Sequence, residues 1–249
     1  SGRAHQSSQA DQELGQARQR APGYVWADFT EAALRADKRD SDAAIEAIRA
    51  AEKKGASAES VAFALGGIYL SRQECEAAAR QFDRALALSP RESAAFAGAG
   101  FARLCAGDST RAAEAFRRAI QLDPYSGRGH LGLALSLAQQ GRRDDAAASL
   151  ARAITLLPWR AEAHLQASLI ASDSDGLSEI ALANTLDPDL VEGRIALAHF
   201  ALDSGAFGDA ERHARSALAM QPDQEDAQRI LGGALAFLGR ADEAKSLLQ

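Results

Sequence analysis

Residues that commonly carry chemistry are scarce in this chain. Its 249 residues include two cysteines, one methionine, two tryptophans and a single asparagine, Asn184. Two cysteines cannot build a disulfide scaffold, and Cys75 and Cys105 have the wrong spacing for a structural zinc site. No run of about 18 apolar residues occurs, so no helical membrane span is expected. Excess positive charge is also missing. The formal charge is -6 and the pI about 5.4, which argues against a nucleic-acid or anionic-membrane surface. Acidic and basic side chains are interleaved, as in "RRDD" over 142–145, the pattern of a solvated face. There is no Gly-rich phosphate loop, no G-x-S-x-G and no H-E-x-x-H. "SDSDG", 172–176, has carboxylates but not the spacing of a twelve-residue calcium loop, and reads as a plain loop. Yet 47% of the residues are hydrophobic and 25% charged, a folded composition. The expectation is a folded, non-enzymatic protein with no catalytic residue, no cofactor and no metal.

Proline is scarce as well, six in all, and its placement is the first positive signal. Pro90, Pro124, Pro158, Pro188 and Pro222 close five similar stretches: "QFDRALALSP", "AFRRAIQLDP", "SLARAITLLP", "EIALANTLDP" and "HARSALAMQP". The intervals are 34, 34, 30 and 34 residues. A proline cannot continue a helix, so each marks a boundary between helical pairs. From Tyr24 on, the apolar pattern has helical and not strand period. Two registers stay small through the chain: Gly66, Gly100, Ala134, Ser168, Ala198 and Gly232, then Ala78, Ala112, Ala146, Ala210 and Ala244. Helices approach closely only where side chains are small.

"LGGIY" at 65–69, followed by Ala78, Phe82, Ala85 and Pro90, resembles the tetratricopeptide (TPR) family, with its period of 34 and its L-G-x₂-Y, Ala, Phe and Pro marks. The usual early Trp is absent; Ala62, Phe96, His130, His164, Arg194 and Gln228 stand in that register. The resemblance implies an all-α solenoid of stacked antiparallel helix pairs in a right-handed superhelix. Residues 1–23 read as a flexible polar tail. Residues 24–58 read as a degenerate first pair, with Trp26, Phe29 and Leu34 on one apolar stripe. The array then runs over 59–92, 93–126, 127–160, a short unit 161–190, 191–224 and a partial unit 225–249. Four residues are missing near "SDSDG", about one helical turn, which predicts shortened helices there. Solenoids need polar end caps, and the reading favours a chain that continues past Gln249 into a further domain.

His130 and His164 share a register in adjacent units. Equivalent sites one unit apart lie about 8–10 Å or more from each other, too far for one zinc, so packed or partly exposed histidines are expected. Cys75 starts a second helix and Cys105 ends the next first helix. Both ends fall at one edge of the stack, so either a disulfide or two separate thiols fits.

In the TPR family the first helices line a concave, ligand-binding face. Carried over by register, that face holds Phe63 and Leu70, then Phe101 and Leu104, then Leu131 and Leu135, then Leu165 and Leu169, then Ile195 and Leu202. Such an apolar strip is either a binding surface or a set of side chains buried against one another by tight curvature. The chaperone-tail clamp of the family needs Lys, Arg and Asn, and the O-GlcNAc transferase type an asparagine ladder; a lone Asn184 builds neither. The expected partner is therefore a protein or peptide offering an apolar or amphipathic segment, with no nucleic acid and no membrane span. Two alternatives stay open: the TPR domain of a larger polypeptide such as a polysaccharide-export porin or an enzyme, and an assembly lipoprotein of a bacterial pilus or secretion system. The compartment is not fixed by the sequence, though the periplasm is preferred over the cytoplasm.

Overall fold

The computed structural model describes residues 12–16, 20–21, 23–37, 40–169 and 173–247, and no strand occurs among them. Most of the expected polar tail lies outside the described residues, apart from a helical turn over 12–16. The helices are α1 (Val25–Asp37), α2 (Ser41–Lys53), α3 (Ala58–Ser71), α4 (Cys75–Leu88), α5 (Ser93–Cys105), α6 (Ser109–Leu122) and α7 (Gly127–Gln139). They continue with α8 (Arg143–Leu156), α9 (Ala161–Ser168), α10 (Asp173–Leu186), α11 (Val191–Asp203), α12 (Phe207–Met220), α13 (Glu225–Phe237) and α14 (Ala241–Leu247). The residues form two compact units, Ser1–Arg142 and Arg143–Gln249.

Local chemistry sets the helix limits. Starts are capped by side-chain oxygens that accept an otherwise unpaired backbone N–H. Ser57 Oγ accepts from Ser60, Asp108 Oδ1 from Arg111 and Ser126 Oγ from Gly129, at 3.0–3.2 Å. The first helices of the pairs end on a left-handed residue, at Gly107, Gly141, Gly205 and Gly239 with φ between 76° and 80°, the conformation glycine adopts without steric cost. Gln73 holds that place in one pair, with φ 59°. Each closing proline follows two residues after the last residue of a second helix, because it can neither donate to the helix nor let its neighbour stay in it.

In unit Ser1–Arg142 each pair packs as an antiparallel hairpin, and each first helix also touches the next first helix: α1 on α3, α3 on α5, α5 on α7. The core is built on two buried rings. Phe82 lies between Gly66 of α3 and Gly98 of α5, and Phe116 between Gly100 of α5 and Gly132 of α7. A Cβ at Gly100 would sit 2.7 Å from the Phe116 ring, and one at Gly132 closer still. The glycines are thus slots for the rings.

Unit Arg143–Gln249 fills the corresponding places with other residues and exchanges the volumes at one of them. The Phe82 register carries Leu150, Ile180 and Ala214 there, and the Gly98 register carries Gln166, Ala196 and Ile230. Ile180 shares a core cluster with Ala196, and Ala214 with Ile230. Ile180 with Ala196 keeps the large side chain on the second helix, and Ala214 with Ile230 moves it to the first, so at both places one large and one small side chain fill the space between helices.

The 161–190 repeat differs from expectation. Its loss falls wholly on the first helix: α9 has 8 residues, whereas α10 keeps the full 14. Residues 170–172, which include the first residue of the expected loop, lie outside the described residues, and Asp173–Gly176 is the first turn of α10. Gly176 permits this. A Cβ there would approach the Ser168 carbonyl oxygen to 3.1 Å, so the start of α10 passes directly over the end of α9.

Each unit also has one edge fastening in the same register. Cys75, first residue of α4, is joined by a disulfide to Cys105, last residue of α5, with Cα atoms 5.4 Å apart. Phe207, first residue of α12, stacks on Phe237, last residue of α13, with ring centroids at 4.5 Å and planes within 5°.

Two outcomes follow from this packing. Gly132→Ala should lower stability by about 1–3 kcal/mol through overpacking, with part of the loss recovered in Gly132→Ala/Phe116→Leu. Gly67→Ala, where the added methyl meets nothing within 4 Å, should gain about 0.5–1 kcal/mol from helix propensity. Urea unfolding midpoints of the variants give the comparison. For the cysteines, the denatured but unreduced protein should show no reactive thiol. Reduction should cost about 3–4 kcal/mol for a loop of this length, read as a lower thermal midpoint.

Candidate functional site

The first turns of α1, α3 and α5 and the end of α4 enclose a cleft of about 420 Å³ in unit Ser1–Arg142. Its walls are Trp26, Phe29 and Phe63, and Ala64, Ala85, Ala94 and Ala95 complete its floor, with Glu59, Ser60 and Glu92 at the rim. The alanines leave the space; the aromatics face it. Trp26 and Phe29, one helical turn apart, hold their ring centroids at 5.5 Å. Phe63 stands edge-on to Phe82, at 5.7 Å and 75°, so the buried ring that spaces the helices also props the exposed one. Trp26 is 61% and Phe63 37% exposed, an unusual state for large aromatic side chains beside a core. Behind them the first pair is closed by a buried carboxylate, Asp28, whose Oδ2 lies 2.8 Å from Lys54 Nζ.

The ten residues expected on the binding strip do not share one environment. Phe63 lies in the cleft. Leu70, Leu104 and Leu135 are half-buried. Phe101 is half-buried against Phe116, edge-on at 4.9 Å, and the Arg128 guanidinium caps its ring at 5.4 Å. Leu131, at 5% exposure, belongs to the core and cannot be a surface contact. In the other unit Leu165, at 9%, is likewise core, packed with Ile180 and Ala183. Ile195 and Leu202 lean on the Ile230–Leu231–Leu235 cluster. Leu169, directly after the shortened α9, is 70% exposed. Packing within each unit thus buries Leu131 and Leu165 and partly covers six other members of the strip. The cleft residues Trp26, Phe29, Glu59 and Glu92 were missed, although an aromatic pair spaced i, i+3 at a helix start was a readable signal.

The register that lacks the usual Trp has a structural task from His130 on. His130 Nε2 donates to the Pro124 carbonyl at 3.1 Å, His164 Nε2 to Pro158 at 2.9 Å, an Arg194 guanidinium N–H to Pro188 at 3.1 Å and Gln228 Nε2 to Pro222 at 3.0 Å. Three residue types share one function, an N–H that closes the turn after the proline. His164 is held from its other side by Glu179 Oε2, 2.7 Å from Nδ1. No group of three potential metal ligands occurs among the described residues.

Elsewhere the perturbed ionisable groups serve the fold. Glu211 of α12 and Glu243 of α14 bracket Arg240, with contacts of 2.8 and 2.6 Å. A hydrogen bond from Arg215 holds the Glu211 carboxyl below its ordinary range, and one from Arg240 does so for Glu243. Burial pushes His213 down. None of these lines the cleft.

A tetratricopeptide repeat model matches residues 29–93, 64–127, 99–158 and 195–249; the interval it leaves out contains the shortened α9. A search of curated proteins finds no match. Among solved structures, the thermophilic TPR protein TTC0263 of Thermus thermophilus superposes with a TM-score of 0.64 at 23% identity, over 72% of this chain and 99% of that one. A tetratricopeptide repeat protein from Parabacteroides merdae gives 0.69 at 14% identity, over 92% of both chains. The APC/C hetero-tetramer Cut9–Hcn1 gives 0.79 at 14% identity, covering 92% of this chain and 46% of that one. At these identities the likeness is one of fold.

If the proline-carbonyl bonds are turn locks, their loss should cost about 0.5–1.5 kcal/mol each. Gln228→Leu should show this, and His164→Leu somewhat more, because it also strands Glu179. His164→Gln, whose amide can still donate, should lose less than His164→Leu. Added zinc should leave every thermal midpoint unchanged.

Proposed function

The chain belongs to the tetratricopeptide repeat family, whose domains bind protein partners, and from that we propose a non-enzymatic interaction scaffold. In this reading unit Ser1–Arg142 seats an apolar or amphipathic segment of a partner in the cleft between Trp26, Phe29 and Phe63. One observation carries it: large aromatic side chains stand exposed around a preformed apolar cleft on rigid helices. Leaving such surface in water forgoes about 25 cal/mol per Å² of possible burial. A partner that covers it regains that free energy, and preformed helices lose little entropy in the process. Aromatic anchors of this kind are the usual hot spots of interfaces, each costing about 1–3 kcal/mol or more when truncated. The half-buried members of the strip, Leu70, Leu104, Leu135, Ile195 and Leu202, support the inner helix faces more than they offer contacts. Leu169 is a second exposed apolar position, in the other unit.

A photo-crosslinking amino acid tests this reading. p-Benzoylphenylalanine in place of Trp26 or Phe63 should give a discrete cross-linked partner in the native host, whereas the same residue in place of Arg84, on the exposed side of α4, should not. Trp26→Ala and Phe63→Ala, checked for unchanged helical circular dichroism, should each reduce recovery of that partner. Equal cross-linking from all three sites would place the binding surface elsewhere.

A further inference from the structure

Among the described residues the cleft is charged in one sense only: its rim carries two carboxylates, Glu59 and Glu92, and neither Lys nor Arg of the described residues lines it. Neighbouring acids on the same helix pairs are neutralised: Asp28 by Lys54, Glu31 by Arg35, and Asp42 and Glu74 both by Arg72. Glu59 has no such partner among the described residues, and Glu92 only accepts the backbone N–H of Ala94 at 3.4 Å.

Helix ends oppose this charge, so magnitudes decide. An N-terminus carries about half a positive charge, and part of that is already satisfied by Ser57 on α3 and by Glu92 itself on α5. A full carboxylate on each of α3 and α5 outweighs the half charge of its own helix. On α1 the first-turn acid, Asp28, is taken by Lys54. The mouth therefore stays negative. The walls act in the same direction, because the faces of aromatic rings attract cations and not anions.

We propose that the cleft takes a basic amphipathic helix from a protein partner. A large apolar side chain of that helix fills the space between Trp26, Phe29 and Phe63, and Lys or Arg side chains one turn away on the same face reach Glu59 and Glu92. Residues three and four apart on a helix lie on one face, so anchor and cation can enter together. A long Lys or Arg stem adds apolar contact along the walls while its head stays at the wet rim. This rests on the scaffold reading above and adds the chemistry of the partner to it.

The test uses the full chain and two synthetic helical peptides with the same leucines and the same tryptophan anchor. One carries Lys at the flanking positions and the other Glu. Binding is read by anisotropy of a dye on the peptide, at low and high salt. The Lys peptide should bind at least about tenfold more tightly than the Glu peptide, with the difference shrinking in high salt. Glu59→Gln/Glu92→Gln should weaken the Lys peptide about fivefold to tenfold, as two exposed ion pairs would, and leave the Glu peptide unaffected or improved. Glu59→Lys/Glu92→Lys should reverse the preference. Trp26→Ala/Phe63→Ala should weaken both peptides. Equal or tighter binding of the Glu peptide, no binding of either, or an unchanged Lys-peptide affinity in the Gln variant overturns the basic-helix assignment. If cross-linking through Trp26 and Phe63 still succeeds, the scaffold reading survives that failure. If cross-linking fails as well, both fall.

Discussion

The spacing of the first helices in unit Ser1–Arg142 depends on two phenylalanine rings pressed against glycines. Phe82 can lie flat between α3 and α5 only because Gly66 and Gly98 have no side chain, and Phe116 repeats the arrangement one pair later with Gly100 and Gly132. Packing at crystal-like density leaves no slack in such a contact. In the other unit Ile180 with Ala196 keeps that order and Ala214 with Ile230 reverses it. At these places the paired side chains add to a similar sum of volumes without a fixed residue type. That sum determines how far apart consecutive first helices stand, and hence what fits between them.

The other interactions hold that spacing in place. At the turns, a side-chain N–H bonds the carbonyl of the closing proline, whether the donor is His, Arg or Gln. At the edge, a covalent pair in one unit and a stacked aromatic pair in the other join the start of a second helix to the end of the next first helix. These bonds are short-range and repeated, as expected in a solenoid where each repeat contacts only its neighbours. The cleft gains from this on one wall: Phe63 stands on α3, which is capped by Ser57 and held against α5 by the Phe82 ring. A binding surface that is already ordered loses little conformational entropy on association.

Much of this was legible in the sequence, and the reason is locality. Helix limits follow from prolines, glycines and capping oxygens acting within a few residues, so the pairs, their period and the short repeat could be read directly. The small registers marked the close approaches. The strip was read less well. Register identifies the first-helix face, but whether Leu131 or Leu165 points to solvent or to the core depends on the rotation of the helix about its own axis, set by packing against the next pair. The four lost residues could be located in the sequence but not assigned to one helix, because that choice rests on Gly176 passing over the end of α9.

By itself, then, the sequence determined an all-α chain of paired helices in the tetratricopeptide family, since 34-residue spacing and short-range stereochemistry require nothing distant. Only the tertiary structure decided where that chain is open. The cleft joins residues 26, 29, 59, 63, 85 and 92, which belong to three successive pairs and become neighbours only when the pairs pack side by side. Whether an aromatic side chain ends up covered or exposed is a property of that stacking, because burial is decided by what the neighbouring pair leaves unfilled.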